Sequence, residues 1–484
     1  MVAFLVVLAC APLPPGDAER PDIILVSIDS LRADHLGSYG STRGASPFLD
    51  ELAARGSRYA HARSSAPWTL PSHTTMLTGT WPQQHTVVDD GRKIDQSLPM
   101  IQETMQKAGY ETAGFVSTIY VSKRFGFDRG FDHFEDFDIG MRNNLEHPVR
   151  AAELLAEAQQ WVKKEGKDKP VFLFLHLYDV HYPYQPPAGY ETRFNRAATA
   201  AELDYKEYAF YKKKPVKPKR MELLRGQYDE CLLAVDDQLR SFVGLWDKVG
   251  RKANWLITAD HGEEFGERGS WGHAQTLYSE LLDVPLIAAG PDFPVGVRQE
   301  VVGHVDLAPT LAGLVGSTWS GPGVDIRKPV PERVMLADTS RFDTLRLSVE
   351  AGGHRLNVDR RSGDYELFDR QADPKEQHIL QDVAQQQTLE ALLLRSMGQP
   401  CQLSEGVLRS SKGRLWQGES WVEELVGPAS FGLFPPDAKF QVDDGAPGTS
   451  DPRVRCATTS TASSLDAETR RQLEALGYVQ EGEE

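Results

Sequence analysis

The chain is short of cysteine, of basic charge and of long apolar runs, and each shortage narrows what it does. Its 484 residues include only 4 cysteines, Cys10, Cys231, Cys401 and Cys456, at spacings that fit no zinc pattern. Cys231 falls in a helical pattern and reads as buried, whereas Cys401 and Cys456 flank a loop-rich tail and can pair only in an oxidising compartment. Lys and Arg number 53 against 69 Asp and Glu, a net charge of −16, which argues against nucleic acid or an anionic membrane surface as a general partner. After the N-terminus no apolar run reaches the roughly 18 residues that a membrane span needs. No internal repeat is present.

The N-terminal apolar run has its own gap: no Lys or Arg precedes it. Met1 to Pro12 reads as the core of an export signal, and Val7-Leu8-Ala9-Cys10 as a loose bacterial lipobox with Cys10 as the lipid-bearing residue. Residues 1–20 are then a signal or lipoprotein-type segment and tether, and the protein is expected to be exported, periplasmic or held at the cell envelope. The competing reading is a buried N-terminal strand.

What the chain does have is enough apolar residues, 40%, for one large core and a smaller one. Three β-branched, apolar runs read as buried parallel strands: Pro21 to Ile28, Pro170 to Leu177 and Ala253 to Ala259. Helical patterns at Pro47 to Gly56, Leu98 to Lys107 and Met221 to Trp246 alternate with such runs. The expected fold is α/β, a mostly parallel sheet sandwiched by helices over residues 21–325. Short strands punctuated by Gly352-Gly353 and Ser362-Gly363 predict a small antiparallel subdomain at 326–380, and residues 381–484 read as an extension. The segment from Tyr190 to Arg220, with its basic end Lys212 to Arg220, reads as a surface loop or as a guide for an anionic substrate.

In open α/β sheets ligands collect at the carboxyl ends of strands. Two predicted strands end in acid-rich segments, Asp29-Ser30-Leu31-Arg32-Ala33-Asp34-His35 and Asp260-His261-Gly262-Glu263-Glu264. Between them lies Trp68-Thr69-Leu70-Pro71-Ser72-His73, where Pro71 suits a first helical position and Gly79 a stop. Thr69 would then stand beside free backbone N–H groups at the positive end of a helix dipole, although the same pattern also makes an ordinary helix start.

At this point the chain resembles the sulfatase family of the alkaline phosphatase superfamily. The resemblance rests on Ile28 to Gly40, Pro67 to Gly79, His176 to Tyr184, Asp260 to His273, Val305 to Leu311 and Tyr365 to Glu376, in family order. The segment Leu465 to Tyr478 is similar to a docking helix at the family's end. The resemblance implies metal-dependent cleavage of sulfate or phosphate esters, with a small-molecule, glycan or lipid ester as substrate. It also exposes substitutions. Catalytic sulfatases carry a Cys or Ser that becomes formylglycine where this chain has Thr69, and an Arg where it has His73. Oxidation of a threonine would give a ketone, so no formylglycine is expected.

Asp29, Thr69, Asp260 and His261 resemble the metal set of the superfamily's phosphodiesterases and phosphoethanolamine or phosphoglycerol transferases, in which a metal-bound Thr is the nucleophile. Two carboxylates, an alkoxide and an imidazole suit Zn²⁺ or Mn²⁺ better than Ca²⁺. His181 and His273 are candidates to protonate the leaving group, hold substrate oxygen or bind a second metal, with Asp179 beside them. Lys123 and His73 are the candidate substrate contacts. Arg32 and Asp34 read equally as an ion pair, His176 as a core residue, Asp306 as the cap of a helix at Leu307, and Glu263 and Glu264 as a helix start. A Thr69-dependent hydrolase is the expected function. Its alternatives are a transferase to a lipid or sugar hydroxyl, whose known members carry N-terminal membrane spans absent here, and a sulfatase-like binding protein without turnover.

Overall fold

The computed structural model describes residues 20–139, 149–166, 169–195, 216–341, 344–359 and 364–396, together with Ser362 and strand segments at 412–417, 420–426, 438–442 and 460–462. The lipobox with Cys10, Cys401, Cys456, most of the 190–220 segment and the helix expected at 465–478 lie outside these residues.

Nine strands form one mixed sheet. Its spatial order is 283–284, 57–63, 286–289, 253–258, 22–28, 171–177, 111–115 and 133–135, and 296–303 also pairs with 57–63. The central strand Asp22–Ile28 runs parallel to Val171–Leu177 on one side and Ala253–Thr258 on the other. All three strands are buried along their whole length, which is why their sequences are apolar runs rather than alternations. Helices Pro47–Ala54 and Ala151–Glu165 pack on the long helix Pro218–Val249, while Thr69–Thr78 packs with Ile101–Lys107 and Leu307–Leu314. Among the described residues no helix is long and apolar enough to cross a membrane.

The strand register places the chemistry. Ser27 lies opposite His176 on one side and Thr258 on the other. Two residues beyond Ser27 and Thr258 respectively, Asp29 and Asp260 stand level at the carboxyl edge of the sheet.

A second sheet has four antiparallel strands, Met335–Thr339, Arg346–Ala351, His354–Asp359 and Tyr365–Asp369, inside the stretch expected to form a small subdomain. One face closes on its own apolar core with Leu389 and Leu393 of the helix Val383–Ser396. The other face sends Glu350 and Arg355 toward the larger sheet, into a buried cluster with Arg63, Asp283, Arg370 and Glu376.

Three local expectations need correction. The helix with Thr69 starts at Thr69 itself, so Pro71 is its third residue, and it stops at Gly79 in the left-handed conformation (φ 63°). Asp260 to Glu264 does not start a helix: Glu264–Phe265 is a strand paired with Trp271–Gly272, and the Glu264 carboxylate accepts from Ser270 and Thr276. Asp306 precedes the helix Leu307–Leu314 without capping it, because its carboxylate accepts from the backbone of Gly303 and Val324 and pairs with Arg333.

Candidate active site and metal centre

Asp29 and Asp260 are fully buried at the ends of adjacent strands, with His261 following directly. The turn after Asp29 puts Ser30 in the left-handed region (φ 58°), and its N–H donates to Asp260 Oδ1 at 3.0 Å. The backbone N–H of His261 donates to the same oxygen at 2.9 Å. Asp260 Oδ1 is thereby satisfied and Oδ2 is left facing His261 Nε2 at 3.3 Å. Asp29 Oδ1 lies 3.7 Å from that nitrogen, and the ligand atoms of Asp29, Asp260 and His261 all fall within 4.8 Å of one another. Thr69 Oγ1 reaches Asp29 Oδ2 at 3.5 Å from the first turn of its helix. The sheet and the helix N-terminus therefore bring together Asp29, Thr69, Asp260 and His261.

The electrostatics favour a cation. Burial, and then the charge of Asp29, push the Asp260 carboxyl above its ordinary pKa. Burial opposes charge on the His261 ring, but Asp260 and Asp29 outweigh it and hold that imidazole above its ordinary value. Among the described residues, Asp260 Oδ2 and His261 Nε2 are buried side-chain atoms without a hydrogen-bond partner. Unpartnered donors of this kind, converging with a second carboxylate, are what a divalent cation requires.

Three histidines line one side of the cluster. The ring centroids of His261 and His273 are 4.5 Å apart, and those of His273 and His181 4.9 Å. Each is oriented through Nδ1: His261 to the Gly262 carbonyl at 2.8 Å, His273 to Glu263 Oε1 at 2.9 Å, and His181 to the Tyr182 carbonyl. Such anchoring fixes the tautomer, with the Tyr178 hydroxyl 3.5 Å from His181 Nε2. Burial, above all, pulls the His181 pKa well below its ordinary value. Glu263 starts no helix; it is the buried carboxylate that orients His273.

His73 is corrected from a substrate contact to a buried support. Its Nδ1 donates to the Thr69 carbonyl at 2.8 Å, its Nε2 accepts from Ser27 at 2.9 Å, and burial lowers its pKa to about 3. Lys123 is half exposed, pairs with Asp136 at 3.4 Å and is not among the residues of the buried cluster. Asp179 lines a small cavity with His181, and its carboxylate accepts the Ala151 N–H at 2.7 Å where the helix Ala151–Glu165 begins. Arg32 is a structural partner: it pairs with Asp34 and Glu267 and donates to the Glu263 carbonyl at 2.8 Å.

Two residues of the site escaped the sequence reading. His176, taken for a core residue, faces Asp29 Oδ2 with Nε2 at 3.1 Å. Arg341, just after the strand Met335–Thr339, lies 4.1 Å from the Trp68 ring centroid and bonds the Tyr120 hydroxyl at 2.6 Å and Asp90 at 3.2 Å, clamping the residue before Thr69. The sequence signal for His176 is a polar residue inside an apolar run, and Arg341 carries none.

Comparison with known proteins identifies the family and the fold. A family model described as Sulfatase matches residues 21–317. The uncharacterized sulfatase YidJ of Escherichia coli K12 is 22% identical over 426 residues, covering 75% of this chain and 84% of that protein. A protein solved in complex with its substrate D-glucosamine-2-N,6-O-disulfate superposes with a TM-score of 0.67 at 18% identity, covering 78% of this chain and 97% of the other. The phosphonate monoester hydrolase of Agrobacterium radiobacter does so with a TM-score of 0.63 at 18% identity, over 78% and 95% of the two chains.

Proposed function

The chain belongs to the sulfatase family of metal-dependent sulfuric- and phosphoric-ester hydrolases, and from that premise we propose that it cleaves its ester with Thr69 as the nucleophile. The observation that carries this reading is the position of Thr69 Oγ1, on the first turn of a helix and 3.5 Å from a carboxylate of the cation-ready cluster. Asp29, Thr69, Asp260 and His261 would hold the metal, and their mixed oxygen and nitrogen donors favour Zn²⁺ or Mn²⁺ over Ca²⁺. When bound, that ion supplies the positive charge that makes a threonine hydroxyl nucleophilic near neutral pH and that offsets charge on the sulfuryl or phosphoryl oxygens.

The chain's own groups account for the rest. Thr69 Oγ1 attacks sulfur or phosphorus, losing its proton toward the Asp29 carboxylate. The bond from that centre to the ester oxygen breaks as the bond to Thr69 forms. His273, oriented by Glu263, delivers a proton from Nε2 to the departing alcohol. Water then attacks the sulfur or phosphorus of the Thr69 ester while His273 takes the water's proton, the bond from that centre to Thr69 Oγ1 breaks, and Asp29 returns its proton to Oγ1. His181 and His273 are equally placed to hold a substrate oxygen or, with Glu263, to serve a second cation.

The deciding experiment combines metal analysis with assays on aryl sulfate, phosphate monoester and phosphodiester substrates. Wild-type protein is expected to retain a divalent metal and turn over at least one class. Thr69→Ala should lose at least about 10³-fold in kcat, while Thr69→Ser keeps measurable turnover. Wild-type activity in Thr69→Ala, or no turnover by the metal-loaded protein, refutes the proposal.

A further inference from the structure

Beneath the carboxylates lies a second layer that the chemistry above does not use: Ser117, His176, His73 and Ser27, all buried. His73, His176 and Asp260 approach one another closely enough to suggest another cation site. Their hydrogen bonds argue otherwise. His73 is committed to the Thr69 carbonyl and to Ser27, and His176 to Asp29 Oδ2 at 3.1 Å and to Ser117 Oγ at 3.2 Å. A cation there would have to displace bonds at every ring nitrogen.

The same bonds define a different role. A neutral imidazole carries one N–H, and a carboxylate can only accept, so the proton of His176 lies on Nε2 and points at Asp29. The bare Nδ1 then faces a hydroxyl, Ser117, which can donate to it or to the His176 carbonyl at 2.6 Å. The two rings meet edge to face at 4.9 Å, so His73 limits the tilt of His176.

Resting on the metal-centre reading above, we propose that His176 is a positioning residue that fixes Asp29 as a ligand. Its N–H occupies Oδ2, as Ser30 Oγ occupies Oδ1 at 2.9 Å, so the carboxylate is held in one rotamer with a lone pair turned to His261 and Thr69. Outer hydrogen bonds of this kind set metal affinity by orienting the ligand before the ion arrives, typically by about 10–100-fold.

Two substitutions separate this role from simple packing. A glutamine amide nitrogen takes roughly the place of imidazole Nε2, and an asparagine amide that of Nδ1. His176→Gln therefore keeps the bond to Asp29, and His176→Asn keeps only the side toward Ser117. Affinity for Zn²⁺ and Mn²⁺ is measured by competition with a chromophoric chelator on the full chain, with circular dichroism of each metal-free variant as the folding control. His176→Asn is expected to bind about 10–100-fold more weakly and His176→Gln within about threefold of wild type. Equal affinity in His176→Asn and wild type, or equal loss in both variants, overturns the proposal. Should His176→Asn not fold, Ser117→Ala carries the test: a several-fold loss supports it and unchanged affinity overturns it. Wild-type protein that takes up neither ion refutes the metal centre itself, a result distinct from all of these.

Discussion

Replacing Arg355 by methionine should destabilise the protein by about 3–5 kcal/mol, because it breaks a buried ion cluster and leaves its carboxylates uncompensated. The magnitude follows from what the guanidinium touches. Arg355 is 1% exposed and reaches Glu350 Oε2 at 2.6 Å, Glu376 Oε1 at 2.8 Å and Asp283 Oδ1 at 3.4 Å. Arg63 grips Glu350 with two bonds of 2.8 Å, and Arg370 joins Asp283 at 2.6 Å. Three arginines thus face three acids, and removal of one leaves a buried net negative charge. Burial alone would raise the Glu350 carboxyl, yet Arg63 and Arg355 outweigh it and hold it well below the usual carboxylate range. A carboxyl depressed in this way contributes stability that is complete above its unfolded value, about pH 4.3, and is lost as pH falls below it. The variant should therefore differ most from wild type near neutrality and least in acid. At roughly 2 °C per kcal/mol for a large domain, Tm at pH 7 should fall by about 6–10 °C in calorimetry. Adding Glu350→Leu to Arg355→Met should not recover the loss, since Arg63 then lacks its main partner. A variant within about 1 kcal/mol of wild type at pH 7, or a difference that grows in acid, would show that the cluster is not what joins the two sheets.

Three further outcomes follow. Tyr228→Phe removes a hydroxyl that accepts from the Arg32 N–H at 2.8 Å and donates to the Ser30 carbonyl at 2.9 Å, so chemical denaturation should show a loss of about 1–3 kcal/mol. A methyl group on Gly262 would meet the Glu280 carbonyl oxygen at 2.0 Å; Gly262→Ala must displace the loop after His261 and should lower both Tm and metal affinity, by roughly 1–3 kcal/mol in stability. Stripping divalent metal with a chelator should lower Tm, and restoring it at about 100 times Kd should return about 2.7 kcal/mol; a Tm indifferent to metal would contradict the site.

The parts of the site that announced themselves in the sequence sit at boundaries. Asp29 and Asp260 end apolar runs, so the break in hydropathy marked both the strand and its functional end. Their pairing could be inferred because ligands gather at that edge of a parallel sheet. His176 could not be found this way. It lies inside a strand buried on both faces, where no alternation tells which side a residue looks to, and its role depends on register with Ser27. Glu263 was hidden for another reason: adjacent acids fit a helix start, and only the short hairpin that replaces the helix turns Glu263 under His273. Arg63, Arg355 and Arg370 come from distant segments and show no local pattern at all.

The position of the first strand has a consequence for the order of events in synthesis. Asp22–Ile28 is made before both of its parallel neighbours, Val171–Leu177 and Ala253–Thr258. A growing chain therefore carries Asp29 and Thr69 long before Asp260 and His261 exist to complete their coordination. Until the ribosome has released residues past 261, the first strand has an open edge and the centre has half its ligands. Metal uptake is then a late event by topology, and a nascent chain halted before residue 250 should bind no metal at this site.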